Sequence, residues 1–174
     1  NIVTFLIFSI FIFLSYFQAI NQSFGYVPDQ DWTIIYNSLL VISGFEQEYF
    51  DHPAYTTFLI YGFVLRLINL FLELDLHALE ILNVESPGEN LQSIFLILRI
   101  SNSIIIFLIF FWIQKILTLF EISGVKKIYI LLTFLFFDAF YQSLFLLRSE
   151  ALSLLFFLIS NYFFLLHYKI NSTN

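Results

Sequence analysis

Two short stretches early in the chain concentrate residues able to do chemistry: Pro28-Asp29-Gln30-Asp31-Trp32 and Tyr49-Phe50-Asp51-His52-Pro53. Asp29 and Asp31 flank a single glutamine. Carboxylates at that spacing can share a divalent metal, or hold one ionised base beside a group of raised pKa. The bland reading is a solvated loop ending in a helix N-cap, and an Asp-x-Asp alone has little specificity. Position favours chemistry here, because the pair follows a long apolar run. In the second stretch, helix capping accounts for Asp51 and Pro53. It leaves His52 unexplained, and a histidine at a membrane surface can contact a phosphate or shuttle a proton.

Arg99 and the turn Arg148-Ser149-Glu150 are the other polar groups at the ends of apolar runs. Arginine at such a boundary is an ordinary snorkelling anchor, and only clustering with the carboxylates favours a phosphate-binding role. Asp138 differs, since it falls inside an apolar run about 15 Å below Arg148 along an ideal helix. Tyr141 and Gln142 share its face. An intramembrane carboxylate is a functional suspect, but protonation or a partner helix would also satisfy it, so it stands outside the catalytic set.

The elements that position these groups are membrane helices. Of 174 residues, 60% are hydrophobic and only 11% charged, and the net charge is −6; a soluble domain is about a quarter charged. The apolar residues come in runs long enough to span a bilayer. The chain has no cysteine, which excludes disulfides and thiolate metal sites, and no methionine. It starts inside an apolar run and stops just past another, so it reads as the N-terminal part of a longer protein.

The expected fold class is all-α, a polytopic helical membrane protein with four spans at residues 2–20, 94–116, 128–147 and 151–168. Arg99 lies near one end of the second span, to snorkel or face a polar cavity; the uncharged stretch from Ile100 to Gln114 covers only about 22 Å. Residues 54–72 are apolar enough to cross, but Gly62, Arg66, Asn69 and Glu73 draw one polar stripe down a helix, which suits an interface helix. Charge bias agrees. If this segment lies flat, Lys115, Lys126, Lys127 and Lys169 share the inside. Residues 21–93 then form an external loop with juxtamembrane helices at about 31–43 and 54–72. Asp31 is the expected N-cap of the first, and Gly44 its stop. Residues 74–82 extend the second before Ser86-Pro87-Gly88 breaks the chain. Asp29, Asp31, Asp51, His52, Arg99, Arg148 and Glu150 all meet on the external face.

That order of features resembles the GT-C class of polyprenyl-phosphate-sugar-dependent glycosyltransferases, most of all the protein O-mannosyltransferases and lipid A aminoarabinose transferases. Counted back from Gly44, Asp29 falls where that family keeps its catalytic aspartate, although Asp29-Gln30 stands where the family often has Asp-Glu. Tyr49 to Pro53 resembles its aromatic-Glu-Lys-Pro turn, Arg99-Ile100-Ser101 its Arg-x-x-Ser segment, and Arg148-Ser149-Glu150 its Arg-Thr-Asp. The resemblance implies an inverting transfer of sugar from a polyprenyl phosphate to an acceptor hydroxyl on a lipid, glycan or protein. Asp29 or Asp31 would be the general base, with Asp51, His52, Arg99, Arg148 and Glu150 binding substrate. A divalent metal at Asp29/Asp31 is compatible with this chemistry and not required by it. The expected setting is a bacterial inner (plasma) membrane, the site on its external or periplasmic face, with the bilayer and no nucleic acid as partner. Two rivals stand beside it: a transporter or channel using Asp138 and Arg99, and a non-catalytic membrane scaffold.

Overall fold

The computed structural model describes residues 29–48, 54–77, 87–122, 124–135, 147 and 149–172, together with positions 6, 9, 10, 13, 14, 17 and 21 of the first apolar run. Its elements are α1 (Asp29–Ile42), α2 (Tyr55–Ile68), α3 (Pro87–Leu119), α4 (Gly124–Leu135) and α5 (Ser149–Ser172). The described positions of the first run are helical too, and no strand occurs among the described residues. Two of the helices, α3 and α5, are long and apolar enough to cross a bilayer.

α1 buries Ile34, Ile35, Leu39 and Leu40. It stops where the sequence says it should. Gly44 takes φ 81°, the Phe45 N–H reaches the Leu40 carbonyl at 2.9 Å, and the Gly44 N–H reaches Val41 at 3.2 Å. This is a Schellman closure, which needs the left-handed residue that glycine supplies without strain. The start differs from expectation. α1 already includes Asp29, so Asp31 lies within the first turn rather than capping it.

α2 has 14 residues, about 21 Å, short of the ~20 residues that a crossing needs. Its polar stripe is buried only at Gly62, while Arg66 and Glu73 are exposed. Gly62 lets α1 come close: a Cβ there would strike the Ile42 side chain and lie 3.1 Å from the Ser38 carbonyl oxygen. Arg66 donates to the Ile42 carbonyl, one of the orphan acceptors at the end of α1. Tyr55, Leu59, Phe63 and Leu67 of α2 are exposed. The helix does not continue into residues 74–77 as expected, and 78–82 lie outside the described residues. Residues 73–77 are non-helical, because side-chain amides capture their backbone. Asn69 Oδ1 accepts from the Leu74 N–H at 2.7 Å, and Asn90 exchanges two bonds with the Asp75 backbone at 3.0 and 2.9 Å.

α3 runs for 33 residues, about 50 Å. Pro87 opens it rather than breaking the chain, since a missing N–H costs nothing in a first turn. The expected span 94–116 therefore sits inside a longer helix, whose first turn is tied to Asp75 through Asn90. Its far end closes around Glu121, at φ 61°, with Ile122 N–H to Leu117 at 3.0 Å and Glu121 N–H to Thr118 at 3.0 Å.

α3 and α5 run side by side in the same direction. Trp112 meets Tyr162 with ring centroids 5.2 Å apart, and Lys169 donates to the Leu119 carbonyl at 3.1 Å. At the other end, Leu147 and Arg99 both bond Asp31. Parallel neighbours need a return connection, so between Leu119 and Leu147 the chain travels back about 30 Å. α4 begins that return. Residues 136–146, which include Asp138 and most of the expected third span, lie outside the described residues. α5 exposes Phe156, Phe157, Phe163, Phe164 and Tyr168, an apolar surface suited to lipid.

Candidate functional site at the α1–α3 junction

An arginine in a long apolar helix must find a counter-charge or reach water. Arg99 lies 20 residues before the end of α3, about 30 Å along the axis. It neither snorkels nor faces a cavity. It is 3% exposed, and its Nη2 donates to Asp31 Oδ2 at 3.1 Å. Asp31 is completely buried, and its other oxygen, Oδ1, accepts the Leu147 N–H at 2.7 Å. One carboxylate thus ties α1 to α3 and to the approach to α5. The guanidinium carbon also lies 5.6 Å from the Phe95 ring centroid, and Phe95 meets Trp32 edge-on at 5.4 Å.

One turn further along α3 the interior is still polar. Asn102 Oδ1 accepts from the Tyr61 hydroxyl of α2 at 3.1 Å, and Ser103 Oγ donates to the Arg99 carbonyl at 3.0 Å. Burial, and after it the charge of Asp31, push the Tyr61 hydroxyl above its ordinary ionisation range. Three helices and the start of a fourth therefore share one buried polar seam.

Asp31 and Arg99 come from opposite sides of residues 54–72. Their contact puts both at the same end of α3. Glu150 sits in the first turn of α5, exposed, and accepts from Ser149 Oγ at 3.3 Å. It follows Leu147 by three residues and so belongs to the same end. Asp29 opens α1. Asp51, His52 and Arg148 lie outside the described residues. Sequence reasoning missed Tyr61 and Asn102. Asn102 was visible in principle, since Arg99, Asn102 and Ser103 share a helix face at i, i+3 and i+4; nothing local marks Tyr61.

The chemistry open to this arrangement follows from the bonds already made. With both oxygens engaged and no exposure, Asp31 acts as a strut rather than a base that an acceptor can reach. The residues do not fit a metal at Asp31 either. A cation there would have to displace Arg99 and the Leu147 amide, and no group of three His, Asp or Glu side chains converges among the described residues.

Comparison with protein-family models, curated proteins and solved structures finds no match to this chain. The fold by itself defines an all-helical protein with two candidate membrane-spanning helices and two shorter helices, the first of which is tied to α3 by a buried ion pair.

Proposed function

We propose that this chain carries the catalytic end of a membrane glycosyltransferase of the GT-C kind, with four spans and the external loop 21–93. The observation behind this reading is the meeting of Asp31, Arg99 and the chain leading to Glu150 at one end of two parallel apolar helices. Asp29 is the base. It sits two residues before a carboxylate that is already occupied, at the start of the helix that Asp31 anchors. The acceptor hydroxyl attacks the anomeric carbon and gives its proton to the Asp29 carboxylate. The bond from that carbon to the phosphate oxygen breaks, and polyprenyl phosphate leaves with the electron pair. The anomeric centre inverts. His52 and Arg148 offset the charge of the leaving phosphate, while Asp31 holds Arg99 and the Leu147 amide in place.

The transporter reading uses Arg99 as a charge on a permeation path. Burial of Arg99 against Asp31 favours the enzyme instead, because a charge locked into helix packing is not available to a passing ion. The test is transfer from purified polyprenyl-phosphate sugar by the full membrane-reconstituted protein. Asp29→Asn should lower turnover by about 10²–10⁴-fold, the usual worth of a general base, while leaving the thermal midpoint in place. Wild-type turnover in Asp29→Asn would overturn the mechanism.

A further inference from the structure

All four lysines of the chain, Lys115, Lys126, Lys127 and Lys169, lie at the end of the molecule opposite the Asp31–Arg99 pair. Glu121 is the one acidic residue among the described residues there. Where α3 and α5 finish side by side, their last turns leave a cleft of about 490 Å³. Lys115, Thr118, Tyr162 and Lys169 supply its polar wall, and Leu166 and Ile170 an apolar one. Lys127 reaches the same wall from α4 by donating to Thr118 Oγ1. Lys169 is held in position by the Leu119 carbonyl and by Glu121 Oε1 at 3.0 Å. Lys115 stands 5.3 Å from the Phe111 ring centroid.

A second observation fixes the depth of this cleft. About one turn before the lysines, Trp112 packs against Tyr162 and Phe163, with centroids 5.2 and 6.0 Å apart. Tryptophan and tyrosine gather where hydrocarbon gives way to headgroups. From that aromatic level Lys115 follows within about one turn on α3 and Leu166 on α5, and Thr118 and Lys169 lie about two turns out. Ammonium groups beside an apolar wall at that depth suit a phosphate that carries an acyl chain.

We propose that this cleft binds the phosphate headgroup of an anionic phospholipid, in the leaflet opposite the Asp31–Arg99 site. The acyl chain lies against Leu166. Lys115, Lys127 and Lys169 face the phosphate, and the Tyr162 and Thr118 hydroxyls line its path. Basic clefts between spanning helices are a recurrent way of holding such headgroups.

The test uses the full chain in phosphatidylcholine bilayers, with Trp32→Phe making Trp112 the sole tryptophan. Brominated phosphatidylglycerol, or brominated phosphatidylcholine as the neutral probe, is titrated in and quenching of Trp112 is followed. The expected result is a preference for the anionic lipid on the order of tenfold, from two ammonium groups not already bonded to a carboxylate. Lys115→Gln with Lys127→Gln should erase it, whereas Lys126→Gln, outside the cleft, should leave it. Equal quenching by the two lipids in the otherwise unaltered chain overturns the proposal whether or not the variants fold. So does a preference that survives the double substitution. Inorganic phosphate should not relieve the quenching; relief by phosphate would show a free-anion site and also overturn the lipid assignment.

Discussion

Substituting the Asp31–Arg99 pair tests the central feature of the fold. The two side chains are 0% and 4% exposed and 3.1 Å apart. Removing one partner strands the other charge in the interior, which typically costs about 3–5 kcal/mol. Arg99→Met and Asp31→Asn should each destabilise by that amount. Asparagine keeps an acceptor for the Leu147 N–H, so Asp31→Asn isolates the loss of charge. Asp31→Leu also leaves that amide without its acceptor, adding about 1–3 kcal/mol. The informative variant is the double substitution Asp31→Asn with Arg99→Met. It contains no buried charge and retains the amide bond. It should come back to within about 1–2 kcal/mol of the parent, because the pair's attraction barely exceeds the cost of desolvating it.

Reversible unfolding in mixed micelles, followed by helical circular dichroism, gives the four stabilities of the cycle. The double variant should be at least ~2 kcal/mol more stable than the sum of the single losses predicts. Additive losses, or an Arg99→Met variant within ~0.5 kcal/mol of the parent, would refute the buried pair, and the claim that α1 docks on α3 through it would fail.

Tyr61→Phe removes the hydroxyl from Asn102 and should cost about 1–2 kcal/mol. It should also change the alkaline limb of stability. Tyr61 ionises at higher pH when folded than its unfolded value of about 10, so the stability it supports is whole below that pH. Above it, stability falls by up to about 1.4 kcal/mol per pH unit. The phenylalanine variant, measured from neutral to strongly alkaline pH, should lose that part of the slope. Gly62→Val places a branched side chain on Ile42 and the Ser38 carbonyl, and should separate α1 from α2 at a cost of about 1–3 kcal/mol, read as a lower thermal midpoint. Glu121→Gly relieves a left-handed residue at about 1 kcal/mol and gives up a largely exposed pair with Lys169 worth little, so the midpoint should rise slightly.

Local chemistry made part of this legible in the sequence. Gly44 ended α1 because one glycine after an apolar helix is enough to specify the closure. The segment 54–72 gave a shorter helix, Tyr55–Ile68, and Gly62 and Arg66 marked its polar side, where both reach the end of α1. The length of α3 was misjudged because Pro87 was taken as a break, when its meaning depends on whether a helix lies before or after it. The role of Asp31 was out of reach for another reason. Near a helix start, an aspartate that caps and one that pairs with an arginine 68 residues away look the same. Only the tertiary contact decides between them, and it decided for the arginine. The gathering of Asp31, Arg99 and the approach to Glu150 was expected from charge bias alone, which is sensitive to the side of the membrane and blind to individual contacts.

An ion pair is an expensive way to join two helices unless it does something an apolar contact cannot. α1 packs mainly on α2 and meets α3 through few side chains, so apolar contact alone would do little to oppose a slide of α1 by one turn along α3, about 5.4 Å. The Asp31–Arg99 pair would not tolerate that slide. Both charges would be stranded, and the Leu147 amide would lose its acceptor, at several kcal/mol in all. The pair therefore sets the depth of α1 relative to the apolar part of α3, whose final 20 residues run on from Arg99. Asp29 is two residues from Asp31 in α1, so its place along α3 is set by the same bond. A base acting on an acceptor at the membrane surface needs its distance from the donor phosphate held to within an ångström or so, a tolerance much tighter than one helical turn. Asp31 and Arg99 would then matter to the reaction without touching a substrate, and the restored double variant can show it. If that variant folds but transfers sugar slowly, the pair sets register. If it works at the parental rate, packing alone positions α1.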